Sequence, residues 1–314
     1  MEFIHLTIFA IFLGVLSACA DTPFKQNSAN EDKALESVKR GSTLLSNVSF
    51  EQVMALNMTM LDEGSDSSIQ LAYGNSPLQY GRLYLPKVSD ADGDQHKAPL
   101  VIFIHGGCWL NAYNIEHSAA FSQSLAQQGF AVWSLEYRRT GDTGGGWPGS
   151  LNDVLKGVSF AQSFRDYPID LKNIVLVGHS AGGHLALLAS SPQRNLFKGD
   201  ERVKGVIGLA AIVDVVNYSK GQNSCQTATS AFFGGDAEQK QNAYRLGSPL
   251  SYPLLENTLM LQGDADTIVE IGQASNSGLT YQIVAGAGHF DWIHPQTNAY
   301  QVFLSALENR VSNP

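Results

Sequence analysis

Only three cysteines, Cys19, Cys108 and Cys225, occur in 314 residues. No cluster shows metal-ligand spacing: His105 and the downstream histidines are too scattered for a zinc site, and no cofactor is implied. Basic residues are also scarce, 20 Lys and Arg against 29 Asp and Glu, a formal charge of −9. That balance argues against nucleic acid as a partner. The N-terminal apolar run, Phe3 to Leu16, is short for a membrane span. Internal repeats and a second core are missing, which leaves one large α/β domain as the expectation. Apolar content of 44% and aromatic content of 10% suffice to fill its core.

The N-terminal run has the length of a signal peptide, although Met1-Glu2 supplies no positive charge. Leu16-Ser17-Ala18-Cys19 resembles a bacterial lipobox, which implies cleavage before Cys19 and acylation of its thiol. The competing reading is an A-x-A site at Ala18-Cys19-Ala20. Residues 1–18 are thus expected to be a lipoprotein-type signal peptide and 19–48 a polar tether. Location would be the bacterial cell envelope, periplasm-facing through a lipid anchor in the membrane, or outside the cell. Either cleavage leaves Cys108 and Cys225 as a pair or as two buried thiols.

From residue 49 the pattern is ordered. Ser49-Phe50-Glu51-Gln52 resembles a capping box opening a helix to about Met58. Strand-like runs at 68–73 and 80–85 flank a turn at Asn75-Ser76-Pro77. Strands are then predicted at 100–104, 130–137, 173–177, 203–213, 259–262 and 279–284. Helices are predicted at 115–128, 151–164 and 298–308. Such alternation implies a mostly parallel sheet with helices on both faces, after an antiparallel start. Residues 214–258, polar and Gly/Ser-rich, are expected to form a small cap.

Gly178-His179-Ser180-Ala181-Gly182 carries the chemistry. The apolar strand 173–177 precedes it and a helix-forming run from Gly183 follows. A serine on a tight strand-to-helix turn stands out of the sheet with its hydroxyl exposed. A glycine-rich turn with a capping serine is the plain alternative. A nucleophilic serine needs a base and an orienting acid. Asp264 and Asp266 follow one downstream strand and His289 follows the last, each at a strand C-terminus, where open α/β sheets place their sites.

Together with His105-Gly106-Gly107-Cys108-Trp109, these motifs resemble the α/β-hydrolase fold of the esterase/lipase superfamily. The match is to its His-Gly-Gly-x-Trp branch of small carboxylesterases and kynurenine formamidase-like enzymes, over about residues 66–310. The resemblance implies a serine hydrolase cleaving carboxylic esters of small molecules through an acyl-enzyme. Ser180 would be the nucleophile and His289 the base. The family's G-x-x-D-x-x-V spacing selects Asp266 over Asp264 as the acid. Backbone N–H groups of Ala181, Gly107 and Cys108 would form the oxyanion hole. Cys108 replaces the third glycine of the commoner loop, and a Cys108–Cys225 bond would pin that loop to the cap. Trp109 and Trp147 are candidates for the substrate pocket, with core packing the alternative. His179, His184 and His294 read as structural, and Arg138 and Arg139 as ion-paired. An arylformamidase-like amide hydrolase and a non-catalytic binding protein on the same scaffold are the alternatives.

Overall fold

The computed structural model describes residues 44–62, 68–87, 97–197 and 199–312. The signal peptide, Cys19 and most of the expected tether lie outside the described residues.

Helix α1 (Phe50–Asp62) leads into the hairpin β1 (Ile69–Ala72) and β2 (Tyr80–Tyr84). Then come β3 (Ala98–Ile104), α2 (Ala119–Gln127), β4 (Ala131–Leu135), α3 (Gly149–Phe160), β5 (Ile169–His179), α4 (Ala181–Ser190) and β6 (Val203–Leu209). Three short helices follow: α5 (Val215–Tyr218), α6 (Ser224–Phe233) and α7 (Gln241–Gly247). The chain closes with β7 (Thr258–Gly263), α8 (Gly272–Ser275), β8 (Thr280–Val284) and α9 (Asn298–Ser312).

One eight-stranded sheet has the order β1-β2-β4-β3-β5-β6-β7-β8. Only the β1–β2 and β2–β4 pairings are antiparallel. The central strands read as unbroken apolar runs because both faces are covered. Alternate residues point opposite ways. Leu100, Ile102 and Ile104 of β3 therefore join Val154 and Leu185, from α3 and α4, in one core. Val101 and Phe103 join Phe121 and Phe303, from α2 and α9, in the other. Phe121 sits 4.6 Å from Phe103 and 5.4 Å from Phe303, ring centre to ring centre. Truncating such a ring to alanine costs about 3–5 kcal/mol.

The α1 capping box is present, the Ser49 N–H donating to Gln52 Oε1 at 2.8 Å and the Gln52 N–H to Ser49 Oγ at 3.3 Å. The helix runs four residues past the expected Met58, to Asp62.

The tether boundary at residue 48 needs correction, because residues 44–48 belong to the folded unit. The Leu45 N–H donates to the Gln296 carbonyl at 2.9 Å. The N–H groups of Asn47 and Val48 each donate to one oxygen of the buried Asp291 carboxylate at 2.7 Å. A buried carboxylate needs donors, and this segment supplies two.

The segment expected to form the cap is helical, and its local signals are plain in retrospect. Asp214 accepts from the Asn217 N–H, Asn223 and Gln226 form a capping box, and Gly234 ends α6 in the left-handed conformation.

Candidate active site

Strands β3, β5 and β7 end at the same rim of the sheet because they run parallel, and the loop after β8 returns to it. Ser180, Asp266, His289 and the loop from His105 to Trp109 leave these ends. Ser180 turns from β5 into α4 at φ 55° and ψ −121°, a conformation that a residue with a side chain adopts only under strain. The turn closes because a Cβ on Gly182 would run into the carbonyl oxygens of Ile104 and His105. The Ser180 carbonyl accepts the His184 N–H at 3.1 Å, starting the helix. The Ala181 N–H, in the first turn, has no intrahelical acceptor.

The loop after β3 holds three successive residues at positive φ: Gly107 at 110°, Cys108 at 53° and Trp109 at 58°. A Leu110 N–H to Gly107 carbonyl bond of 2.9 Å closes it. A disulfide joins Cys108 to Cys225 of α6. His105, fully buried beneath the loop, stacks on Tyr137 at 4.6 Å, and its ring lies between the Gly106 carbonyl and Glu136 Oε1. Burial pushes the Glu136 carboxyl up, but His105, Arg139 and the Tyr137 N–H outweigh it and hold the group below the usual range.

The side chain of Asp266 is fully enclosed. Its Oδ1 accepts the N–H groups of Ile268 and Val269, both at 2.8 Å. Its Oδ2 meets His289 Nδ1 at 2.8 Å and accepts from Gln262 Nε2 at 3.1 Å. This explains the G-x-x-D-x-x-V spacing, since the last residue's N–H is one of the donors. Burial raises the Asp266 carboxyl, yet the His289 ring and the two N–H groups bring it below its ordinary value. Asp264 points elsewhere, its Oδ1 accepting the Gly286 N–H at 2.6 Å. Gln262 gave no signal in the sequence, being one polar residue inside a buried strand.

With Nδ1–H donated to Asp266, a neutral His289 has Nε2 as its acceptor. His289 and Ser180 line the same cavity, of about 220 Å³. Gly107, Cys108 and Cys225 form part of its wall. Another part was not anticipated: Phe50 of α1, Tyr113, His117 and Phe290. Phe50 lies 5.6 Å from Tyr113, 5.9 Å from His117 and 5.4 Å from Phe290. His117 is buried, and desolvation, then His105 and His179, push its ring well below the usual histidine range.

Two predicted pocket residues are corrected. Trp109 is fully buried, stacked on Phe232 at 4.9 Å, with Nε1–H donating to His184 Nδ1 at 3.2 Å. The left-handed backbone at Cys108 and Trp109 turns the indole into the core beneath α6. Trp147 packs on Phe233 at 5.5 Å, and its N–H donates to the Phe232 carbonyl at 2.8 Å, so it docks its loop on α6. Arg138 holds Asp153 through two bonds of 2.8 and 2.7 Å, and Arg139 pairs with Glu136 and Asp142. Among the described residues no group of His, Cys, Asp and Glu is placed to hold a metal, and no helix is long and apolar enough to cross a membrane.

A mostly parallel sheet carrying a strained serine elbow, with an Asp–His pair on neighbouring strand ends, is the α/β-hydrolase fold. Within that fold, the BD-FAE family model matches residues 83–277, and the chain belongs to this family. It is similar to Esterase LipC of Mycobacterium tuberculosis, 27% identical over 76% of this chain and 64% of that protein. It also resembles kynurenine formamidase of Salmo salar, 26% identical over 54% of this chain and 56% of that protein. The chain thus spans less than two thirds of the length of these curated relatives. Among solved structures, esterase B from Lactobacillus Rhamnosis shares the fold at a TM-score of 0.65, with 18% identity over 84% of this chain and 95% of that one. A truncated carbohydrate esterase from gut microbiota does so at 0.64, with 22% identity over 79% and 97%.

Proposed function

We propose that this chain is a serine hydrolase that cleaves carboxylic esters of small molecules through an acyl-enzyme. The observation that carries this reading is the Asp266–His289 hydrogen bond facing the cavity that Ser180 also lines. Ser180 Oγ gives its proton to His289 Nε2 and attacks the ester carbonyl. Negative charge develops on the carbonyl oxygen, where the N–H groups of Ala181 and of Gly107 or Cys108 donate to it. His289 passes the proton to the departing alcohol oxygen. Water, deprotonated by the same ring, releases the acid and restores Ser180. Asp266 keeps Nδ1 protonated and stabilises the charged ring.

The cavity of about 220 Å³ is small against the usual range of roughly 300–1,000 Å³. It suits a short acyl chain, and its aromatic wall suits a planar group on one side of the ester. The esterase names of the relatives support the class of reaction. A fluorophosphonate probe is expected to label the protein at Ser180 and to fail with Ser180→Ala. A folded protein that stays unlabelled would mean a binding protein instead. The formamidase relative favours one comparison: p-nitrophenyl acetate should turn over faster than N-formylkynurenine, and the reverse order would make the chain an amidase.

The lipobox-like Leu16-Ser17-Ala18-Cys19 supports a further proposal, acylation at Cys19 and a membrane-tethered, periplasm-facing or exported enzyme. Labelling with a palmitate analogue should be lost in Cys19→Ser.

A further inference from the structure

His179, between the elbow glycine and the nucleophile, has no role in the chemistry above, yet three catalytic segments meet at its ring. It is 2% exposed. Its Nε2–H donates to the backbone carbonyl of His289 at 2.9 Å, across 110 positions of sequence. Its ring centre lies 4.7 Å from that of His289, tilted by 47°. On the other side it meets the oxyanion loop: a Cβ on Gly106 would stand 2.9 Å from the His179 carbonyl and 3.0 Å from Nδ1. That Nδ1 is buried without a partner.

We propose that His179 is a positioning residue, whose Nε2–H holds the His289 loop in register with the Ser180 elbow while its ring seats Gly106 of the oxyanion loop. The proposal rests on the esterase reading. A protein has cheaper ways to fill this space than an imidazole with one nitrogen unsatisfied, so the side chain needs another reason to be there. The Nε2–H contact supplies it. The His289 loop follows an edge strand, and its imidazole must stay within reach of the serine through a cycle in which it gains and loses a proton.

The same packing keeps His179 neutral. Burial first, and then the neighbouring His289, lower its pKa to about 3, against the support of the His289 carbonyl and Asp266. A neutral neighbour lets His289 take up the serine proton without facing a second positive ring at 4.7 Å.

Two variants test the role, with rates normalised to the serine titrated by a fluorophosphonate. His179→Leu keeps bulk without a donor, and His179→Gln returns an N–H donor at similar reach. The leucine variant should lose about tenfold or more in kcat on p-nitrophenyl acetate, with KM within about twofold, because misplaced catalytic groups cost rate rather than binding. The glutamine variant should recover most of that loss. Wild-type kcat in the leucine variant, or equal losses in both, would overturn the proposal.

NMR of histidine-labelled wild-type protein provides an arm that needs no variant to fold. The His179 Nε2–H should be a slowly exchanging proton, and its ring should remain neutral from pH 7 to 4.5. Rapid exchange or titration within that range would equally overturn the assignment. Absence of labelling at Ser180 in the wild type would defeat the esterase reading separately, leaving the NMR arm to judge the contact.

Discussion

Two aspartates two positions apart behave differently because of what their oxygens reach. The Asp266 carboxylate is enclosed with four contacts, and Asp264 is exposed and accepts from a turn N–H. Asp266→Asn presents an amide to His289 and allows the wrong ring tautomer. It should lower kcat by about 10³–10⁴-fold. Asp264→Asn should change kcat/KM by less than about threefold, since only a surface turn is affected; initial-rate kinetics on both variants checks the assignment. Trp109 poses a parallel question of role. Its indole N–H joins His184, whose Nε2–H in turn donates to the Gly247 carbonyl of α7 at 2.6 Å. Trp109→Phe keeps the stack on Phe232 and removes one buried bond. The expected result is a loss of about 1 kcal/mol, or roughly 2–4 °C in Tm, with KM unchanged. A raised KM without a change in Tm would return Trp109 to the pocket.

Among the elements, α1 and α6 both contribute to the cavity wall. Helix α1 contributes Phe50, and α6 contributes Ser224 and the disulfide-bonded Cys225. Phe50→Ala removes the ring that Tyr113, His117 and Phe290 surround. It should reduce kcat/KM on aryl esters by about fivefold to tenfold and affect ethyl acetate far less, which a substrate panel would reveal. The Cys108–Cys225 bond closes a loop with a sequence separation of 117. Long loops gain most from such closure, so the double Cys→Ser variant should lose about 2–4 kcal/mol in denaturant unfolding.

For the molecule as a whole, buried histidines set the response to acid. Burial lowers His184 to about 4 and His179 to about 3. In the unfolded chain both titrate near 6.5. Between those values the unfolded state binds more protons than the folded one, so stability rises with pH there. It is complete above about pH 6.5 and declines as pH falls towards 4. Asp266, whose carboxyl is depressed in the fold, adds a loss at still lower pH, below the ordinary carboxylate value of about 4. Thermal melts should therefore be flat above about pH 7 and fall steadily from pH 6.5 to 4. A Tm constant across that window would show that these rings are solvated.

The sheet, the elbow at Ser180 and the choice of Asp266 as the partner of His289 were legible because their causes are local. Two-sided burial writes apolar runs into the strands, and a sharp turn demands small residues around Ser180. A buried acid on a loop requires nearby N–H groups at fixed spacing. The docking of residues 44–48 on Asp291 had no such signature, because a polar segment reads alike whether solvated or bound. Nor did the direction of Trp109, which three left-handed backbone residues decide, or the aromatic wall that α1 completes. The sequence alone determined which groups can do the chemistry, since residue type and local turn geometry carry that information. Only the tertiary structure decided what surrounds them, because contacts such as His179 to His289 join segments 110 residues apart, whose meeting depends on the packing of the whole sheet.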